Sequence, residues 1–424
     1  MNRINHVLAC GAAAVGALIA FSLIYIAVAS WRAGARLDRH ITAIRAAGDP
    51  VTLAELARKP IPPEQNAAVY LRRAEKSLTA VGQELQPLYR DRAHHYRNGR
   101  LTESGATIVK SALDAYPDIL PLIEQAAACG DYDPQHDFTV SPGQFTLSSP
   151  PHMQSNRQIA SILNHRVELL LPQGDGAEAL RTCLLMLRLG RHFDQEPIMN
   201  GHLISIAVQD MAISATSRVL VDGPVSSNLR QQLKNELAGH DGLAGYRRAL
   251  TTERAFGIES FRELTGGYAF LVMWNFKRDM CDYAQQLDRE IKLGSLPPHE
   301  LDSDAESQAR ATNVEVLTAS VMPVLVAHRE AFQRVRARLQ CLRVLNAVQV
   351  YIETTDVRDP SIADLKLADE LTVDPYDGRP LRMKKAPAGW TIYSVGKNRK
   401  DDGGKFDDAE DIGVGPVASR DSSS

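Results

Sequence analysis

From Val7 to Ala29 the chain carries no charged residue, and polar positions are rare. At about 1.5 Å per residue, a helix over that run is roughly 34 Å long, enough for a hydrocarbon core of about 30 Å. Ala27-Val-Ala29 before Ser30 also fits a small-residue cleavage site. The run exceeds a signal-peptide core of about 7–15 residues, so an uncleaved anchor is expected. Val7-Leu-Ala-Cys10 is not read as a lipoprotein box, because the apolar run follows the cysteine. After the span, Arg36 to Ala46 reads as a short separate helix, closed by Gly48-Asp-Pro50.

Helical spacing then dominates. Thr52-Leu-Ala-Glu55 has the form of a capping box, and Lys59-Pro-Ile-Pro-Pro63 ends the helix it would start. Glu64 to Thr79 places Ala67, Ala68, Leu71, Ala74 and Leu78 on one face and Arg72, Arg73 and Lys76 on another. Leu101 to Cys129 is helical in pattern, kinked or divided by Pro117 and Pro121. Gly130 to Pro151 turns to Asp, Pro, Gly, Ser and Gln, a loop long enough to be an excursion or a site. Helices follow over Asn156–Leu171, Gly176–His192, Ile198–Val221, Ser227–Leu237, Leu243–Phe261 and Tyr268–Leu293, with a linker from Leu296. Short breaks between such helices make antiparallel neighbours, hence a bundle or superhelix. A last helix is expected over Pro323–Thr354, with Leu325, Phe332, Val335, Leu339, Leu342 and Asn346 on one face. Arg329, Arg336 and Arg343 recur seven apart on another, which reads as a solvated face.

Strand-like alternation is confined to about residues 379–396. Leu381 and Met383 alternate with Arg382 and Lys384, Ala386-Pro-Ala-Gly389 turns, and Trp390, Ile392 and Ser394 alternate with Thr391, Tyr393 and Val395. Such a hairpin needs a partner and should pack on the helix before it. The expected fold is mainly α: a transmembrane helix (1–30), a helical segment with a long loop (31–150), an antiparallel helical bundle (151–320), a small α+β module (321–415) and a disordered tail (416–424).

Composition narrows the function classes. A net charge of −3 and 6% aromatics argue against a nucleic-acid partner, which requires a basic footprint. Cys10, Cys129, Cys183, Cys281 and Cys341 form no C-x-x-C pair, so neither a zinc knuckle nor a redox dithiol is indicated. Buried single thiols are expected, with disulfides open if the body is exported. No phosphate-binding glycine loop, nucleophile elbow or H-E-x-x-H helix occurs, so the chain is not read as an enzyme.

Isolated clusters invite weaker readings. Asp131-Tyr-Asp-Pro-Gln-His-Asp137 gathers oxygen and nitrogen donors, but turn-forming aspartates beside a proline explain the same letters. Adjacent His94 and His95 diverge on a helix, and His165 with Glu168 or His192 with Asp194 are given no role. The strongest cluster closes the chain: Asp401, Asp402, Asp407, Asp408, Glu410 and Asp411, with Asn398 before them and Gly403-Gly404 among them. On composition a flexible acidic loop explains the cluster, while carboxylates on a glycine-bent loop also suit calcium, which takes about 6–8 oxygens.

Residues 325–413 resemble the soluble domain of the major pseudopilin of type II secretion. The resemblance lies in a long helix, Asp374-Pro-Tyr-Asp-Gly-Arg-Pro-Leu, Tyr393-Ser-Val-Gly396 and the Asp-rich loop closing on Asp411-Ile412. It implies a helix on a small antiparallel sheet, with calcium in the closing loop. The Val395 carbonyl and Asp411 match the family's ligand positions, Asn398 stands where the family has Asp, and Asp402 and Asp408 are extra donors in a longer loop. The family's N-terminal processing motif is missing from Met1–Phe21. The body resembles large uncharacterised membrane-anchored proteins of planctomycete-type bacteria, in Ile61-Pro-Pro-Glu-Gln-Asn-Ala-Ala and Arg188-Leu-Gly-Arg-His-Phe-Asp-Gln-Glu-Pro197. Arg32, Arg36 and Arg39 after the span would keep the body in the cytoplasm, whereas an export-type module points outward. The expectation is a single-pass inner-membrane protein with a periplasmic body that binds a protein partner. The alternatives are a component of the secretion pseudopilus and a metal-dependent enzyme built on the 131–137 loop.

Overall fold

One helix, α1 (Asn2–Ala46), carries the apolar run straight into the body, so the stretch after Arg36 is no separate helix. The computed structural model describes residues 2–97, 99–147, 151–265, 273–301, 316–355, 357–406 and 411–416. Along α1 the exposure changes character. Val15, Leu18, Ile19, Phe21 and Ile24 stand exposed, whereas Leu37, Ile41 and Ile44 are buried. Steps of four and three put those last three on one face.

The Thr52–Glu55 box starts no α-helix. Glu55 Oε2 accepts from the Val51 amide at 2.7 Å, and Ala54–Leu56 make one 3-10 turn. Prolines follow too soon for a helix to propagate. Helix α2 (Ala67–Glu84) begins instead at Asn66, whose side chain accepts from the Ala68 amide. Its expected face (Ala67, Ala68, Leu71, Ala74, Leu78) is buried. Short helices α3 (Gln86–Arg90) and α4 (Arg92–His95) lead to a two-residue ladder, β1 (Tyr96–Arg97) against β2 (Arg100–Leu101). Sheet is therefore not confined to the C-terminus. Helices α5 (Glu103–Ala115) and α6 (Ile119–Ala128) divide around Pro117, while Pro121 sits in the first turn of α6, where its missing N–H leaves no bond unmade.

The body continues with α7 (Pro142–Leu147), α8 (Pro151–Leu170), α9 (Gly176–Phe193), α10 (Met199–Asp222), α11 (Ser227–Ala238), α12 (Leu243–Thr265), α13 (Met273–Ser295) and α14 (Val316–Thr355). The Gly266-Gly267 break, the expected start at Tyr268 and the linker beyond Leu301 lie outside the described residues. Helix α9 packs on α8, α10 and α11, α12 packs on α13, and α13 packs on α14 and α1. Although α10 is long and apolar enough to cross a membrane, 61% of its apolar window is buried in the body. A helix apolar on every side belongs in a core or a bilayer. Here it is a core helix. Cys129, Cys183, Cys281 and Cys341 are free thiols.

The chain ends on an antiparallel sheet ordered β3 (Arg382–Ala386), β4 (Gly389–Ser394), β5 (Ile412–Val414). The hairpin was legible from alternation; β5 is too short to show any. Strand β4 packs on α14 and its residues Trp390–Ser394 are all buried. Trp390 and Ile392 join the main core, while the glycine turn of the acidic loop lies against Thr391 and Tyr393. Residues 417–424, read as a disordered tail, lie outside the described residues.

Helix α14 packs on α10, α11, α13, β4 and β5, and the arginine stripe lies largely on packed faces instead of a solvated one. Arg329 is buried against Glu290 at 2.9 Å. Arg343 donates to the carbonyls of Leu237 and His240 at the end of α11, and Arg336 lies over the Phe332 ring.

Candidate functional site

Asp374 organises the C-terminal module. It is fully buried, with Oδ1 accepting from the Tyr376 amide (2.9 Å) and Ser394 Oγ (2.6 Å). Its Oδ2 accepts from the Val395 amide (2.9 Å) and Arg382 Nη1 (3.0 Å). The turn sequence Asp374–Gly378 thus pins the end of β4, where the acidic loop begins. The Val395 side chain is buried with Ala337, Tyr376 and Ile412.

Beyond Val395 the loop is tied down by its own polar groups. Asn398 Oδ1 accepts from the Lys400 amide, and its Nδ2 donates to Asp402 Oδ2 at 2.9 Å. Asp401 accepts from Tyr393 Oη (3.0 Å) and the Gly403 amide (2.9 Å). Gly403 and Gly404 have φ of 77° and 76°, a region that favours glycine. They turn the chain so that the Gly404 amide donates to Asp411 Oδ2 at 2.8 Å. Asp411 is 2% exposed, and among the described residues its Oδ1 has no hydrogen-bond partner. Burial, with the charges of Asp402 and Asp401, raises its pKa against the opposing amides of Gly404 and Asp402. Of the residues expected to hold calcium, Asn398 and Asp402 bond each other beyond Val395, and Asp411 is tied to the same loop through the Gly404 amide. Asp408 lies outside the described residues.

A second cluster forms on the body, where the segments around Asn66 and Arg188–Pro197 meet the 131–137 loop. Asn66 is buried; its Oδ1 accepts from the Ala68 amide (3.1 Å) and the Asp133 amide (3.0 Å), and its Nδ2 donates to the Asp133 carbonyl (2.9 Å). The Ala67 amide donates to the Asp131 carbonyl at 3.0 Å. The loop's aspartates serve turns, as their spacing suggested: Asp133 accepts from the Gln135 amide and Asp137 from the Thr139 amide. The histidine between them does something else. Gln135 adopts φ 62°, unusual for a side-chain-bearing residue, and His136 turns inward to Glu196.

Glu196 closes the Arg188–Pro197 stretch. Its carboxylate is buried, with Oε1 bonded to His136 Nε2 and Oε2 3.0 Å from His152 Nε2. Burial pushes the pKa of Glu196 up, but the two imidazoles outweigh it and the net shift is downward. One donor atom from each of the three residues lies within 4.8 Å of the others. Neighbouring residues of the same stretch are also spoken for. Arg188 and Arg191 reach Glu236 at 3.1 and 3.3 Å, and Asp194 Oδ1 lies 3.1 Å from His202 Nε2. Sequence reasoning had His136 in a weak cluster and gave neither His152 nor Glu196 a ligand role. Loop, helix start and interhelical turn supply one residue each, so no fixed spacing signals the trio. Comparison with protein-family models, with curated proteins and with solved structures finds no match to this chain.

Proposed function

We propose that this chain is a single-pass membrane protein of the cell envelope that acts by binding rather than catalysis. Its helical body stands outside the cytoplasm and offers a surface to a protein partner; a calcium ion closes its C-terminal module. One observation carries the ion assignment: the buried Asp411 Oδ1 has no hydrogen-bond partner among the described residues, and Asp411 is tied through the Gly404 amide to the loop in which Asn398 bonds Asp402. A buried carboxylate oxygen left unpaired is costly, and a bound cation would satisfy it. The Val395 carbonyl, Asn398, Asp402 and Asp411 would supply oxygens, with Asp408 from the same loop. The long apolar start of α1, with its exposed hydrophobic side chains, supports the membrane anchor.

Calcium bound only to the folded state stabilises it by about 2.7 kcal/mol at a concentration a hundredfold above its dissociation constant. The full chain in detergent should melt higher in calcium than in chelator, and Asp411→Ala should abolish the difference. Magnesium should act weakly, because it demands tighter octahedral geometry and gives up water reluctantly. An unchanged melting temperature in millimolar calcium would reduce the loop to an acidic turn.

A further inference from the structure

We infer that His136, His152 and Glu196 form a site for one transition-metal ion of the zinc class, on the helical body and separate from the acidic loop. Two imidazole nitrogens and a carboxylate oxygen suit zinc and its neighbours, whereas calcium prefers oxygen donors throughout. Their atoms already converge to within 4.8 Å of one another. Zinc holds such donors at about 2.0–2.2 Å and hence about 3.4 Å from one another, so small side-chain rotations bring all three into reach.

The surroundings favour an ion over a plain hydrogen-bonded trio. Among the described residues the ion-pair partners of buried Glu196 are His136 and His152 alone, with no arginine or lysine. A buried carboxylate faced by two imidazole nitrogens is a donor set that a divalent cation can take over. The supporting shell is also built to hold the three in place. Asn66 clamps the loop through Asp133, and Gln135 takes up the left-handed backbone that turns His136 inward. Gly201, one turn into α10, makes room for the glutamate: a Cβ there would stand 1.9 Å from Glu196 Cγ. His152 also lines a cavity of about 30 Å³ with Tyr132 and Asn156, enough for a water. Of the three ligands only His152 borders that cavity; a three-residue set leaves the fourth position of a zinc ion to a water or another donor.

The test uses the untagged full-length chain in detergent, stripped with chelator, reloaded with Zn²⁺ or Co²⁺ and dialysed. Elemental analysis should find one zinc per chain, and cobalt should give the visible ligand-field absorption of a low-coordinate nitrogen and oxygen site. Glu196→Gln and His136→Ala should lose both signals. Gly201→Ala, which only displaces the glutamate, should weaken affinity by about 10–100-fold. Asp411→Asn should keep the zinc, which separates this site from the calcium reading. His152→Ala alters a partly exposed side chain and serves if the buried variants fail to fold; it should lose the cobalt absorption while circular dichroism stays helical. No cobalt absorption in the folded wild-type chain, or equal zinc retention in these ligand variants, would overturn the assignment.

Discussion

At Asp374 both carboxylate oxygens are fully used: two amides, one hydroxyl and one guanidinium converge on a side chain with no exposure. Each bond ties a different piece of the module together. Tyr376 belongs to the turn, Ser394 and Val395 to the end of β4, and Arg382 to β3. Removing one partner of a buried ion pair costs about 3–5 kcal/mol, since the remaining groups keep their desolvation without compensation. Asp374→Ala should therefore lower stability by about that amount. Asp374→Asn should cost less, because its amide oxygen still accepts while its NH₂ faces donors. Chemical denaturation of the two variants in detergent checks the order, and equal midpoints for both and the wild type would remove Asp374 from its organising role. In sequence this residue looked like the first letter of a turn. Its burial was not legible, because a turn aspartate and a buried hub share the same neighbours in the chain and differ only in what packs from afar.

Among the elements, α14 shows how far periodicity carries and where it stops. The three-and-four spacing of Leu325, Phe332, Val335, Leu339 and Leu342 marked a buried face, and all five are buried. Periodicity says nothing of how many neighbours a helix has, and this one packs on helices and sheet alike. His328, which interrupts the apolar spacing, lies there with its Nε2 2.7 Å from His202 Nδ1 on α10 and its ring stacked on Tyr246 of α12. Burial, and secondarily the charge of His202, push its pKa down to about 3. A histidine whose folded pKa lies below its unfolded value near 6.5 stabilises the fold above that value. The contribution fades as pH falls from about 6.5 towards 3, because only the unfolded chain takes up the proton. The expected slope is about 1.4 kcal/mol per pH unit. His192, also lowered by burial, adds to the same trend. His328→Gln keeps a neutral hydrogen-bonding group and should flatten the loss of stability between about pH 6 and 5, above the carboxylate range. A slope identical to wild type would show that His328 titrates normally.

For the whole molecule, the decisive feature is that α1 is one rigid rod from apolar run to core. Its far half docks on α13 through Leu37, Ile41 and Ile44, with Arg36 3.3 Å from Asp282 and His40 3.0 Å from Asp288. Tyr25 and Trp31 stand exposed where the apolar side chains give way to this docked face, the position aromatic residues favour at a membrane surface. Under the proposed anchoring the body would sit against the bilayer, and a single span through α1 would put that body on one side. Two signals compete over which side. Arg32, Arg36 and Arg39 favour retention in the cytoplasm, and the calcium proposed for the closing loop favours export. The proposed outward placement makes a sharp prediction: alkaline phosphatase fused after Ser424 should be active, and green fluorescent protein fused there and exported by the general secretion route should be dark. A dark phosphatase with a bright fluorescent fusion would place the body in the cytoplasm. Free calcium is scarce there, so that result would also remove the calcium reading of the loop while leaving the His136–His152–Glu196 site untouched.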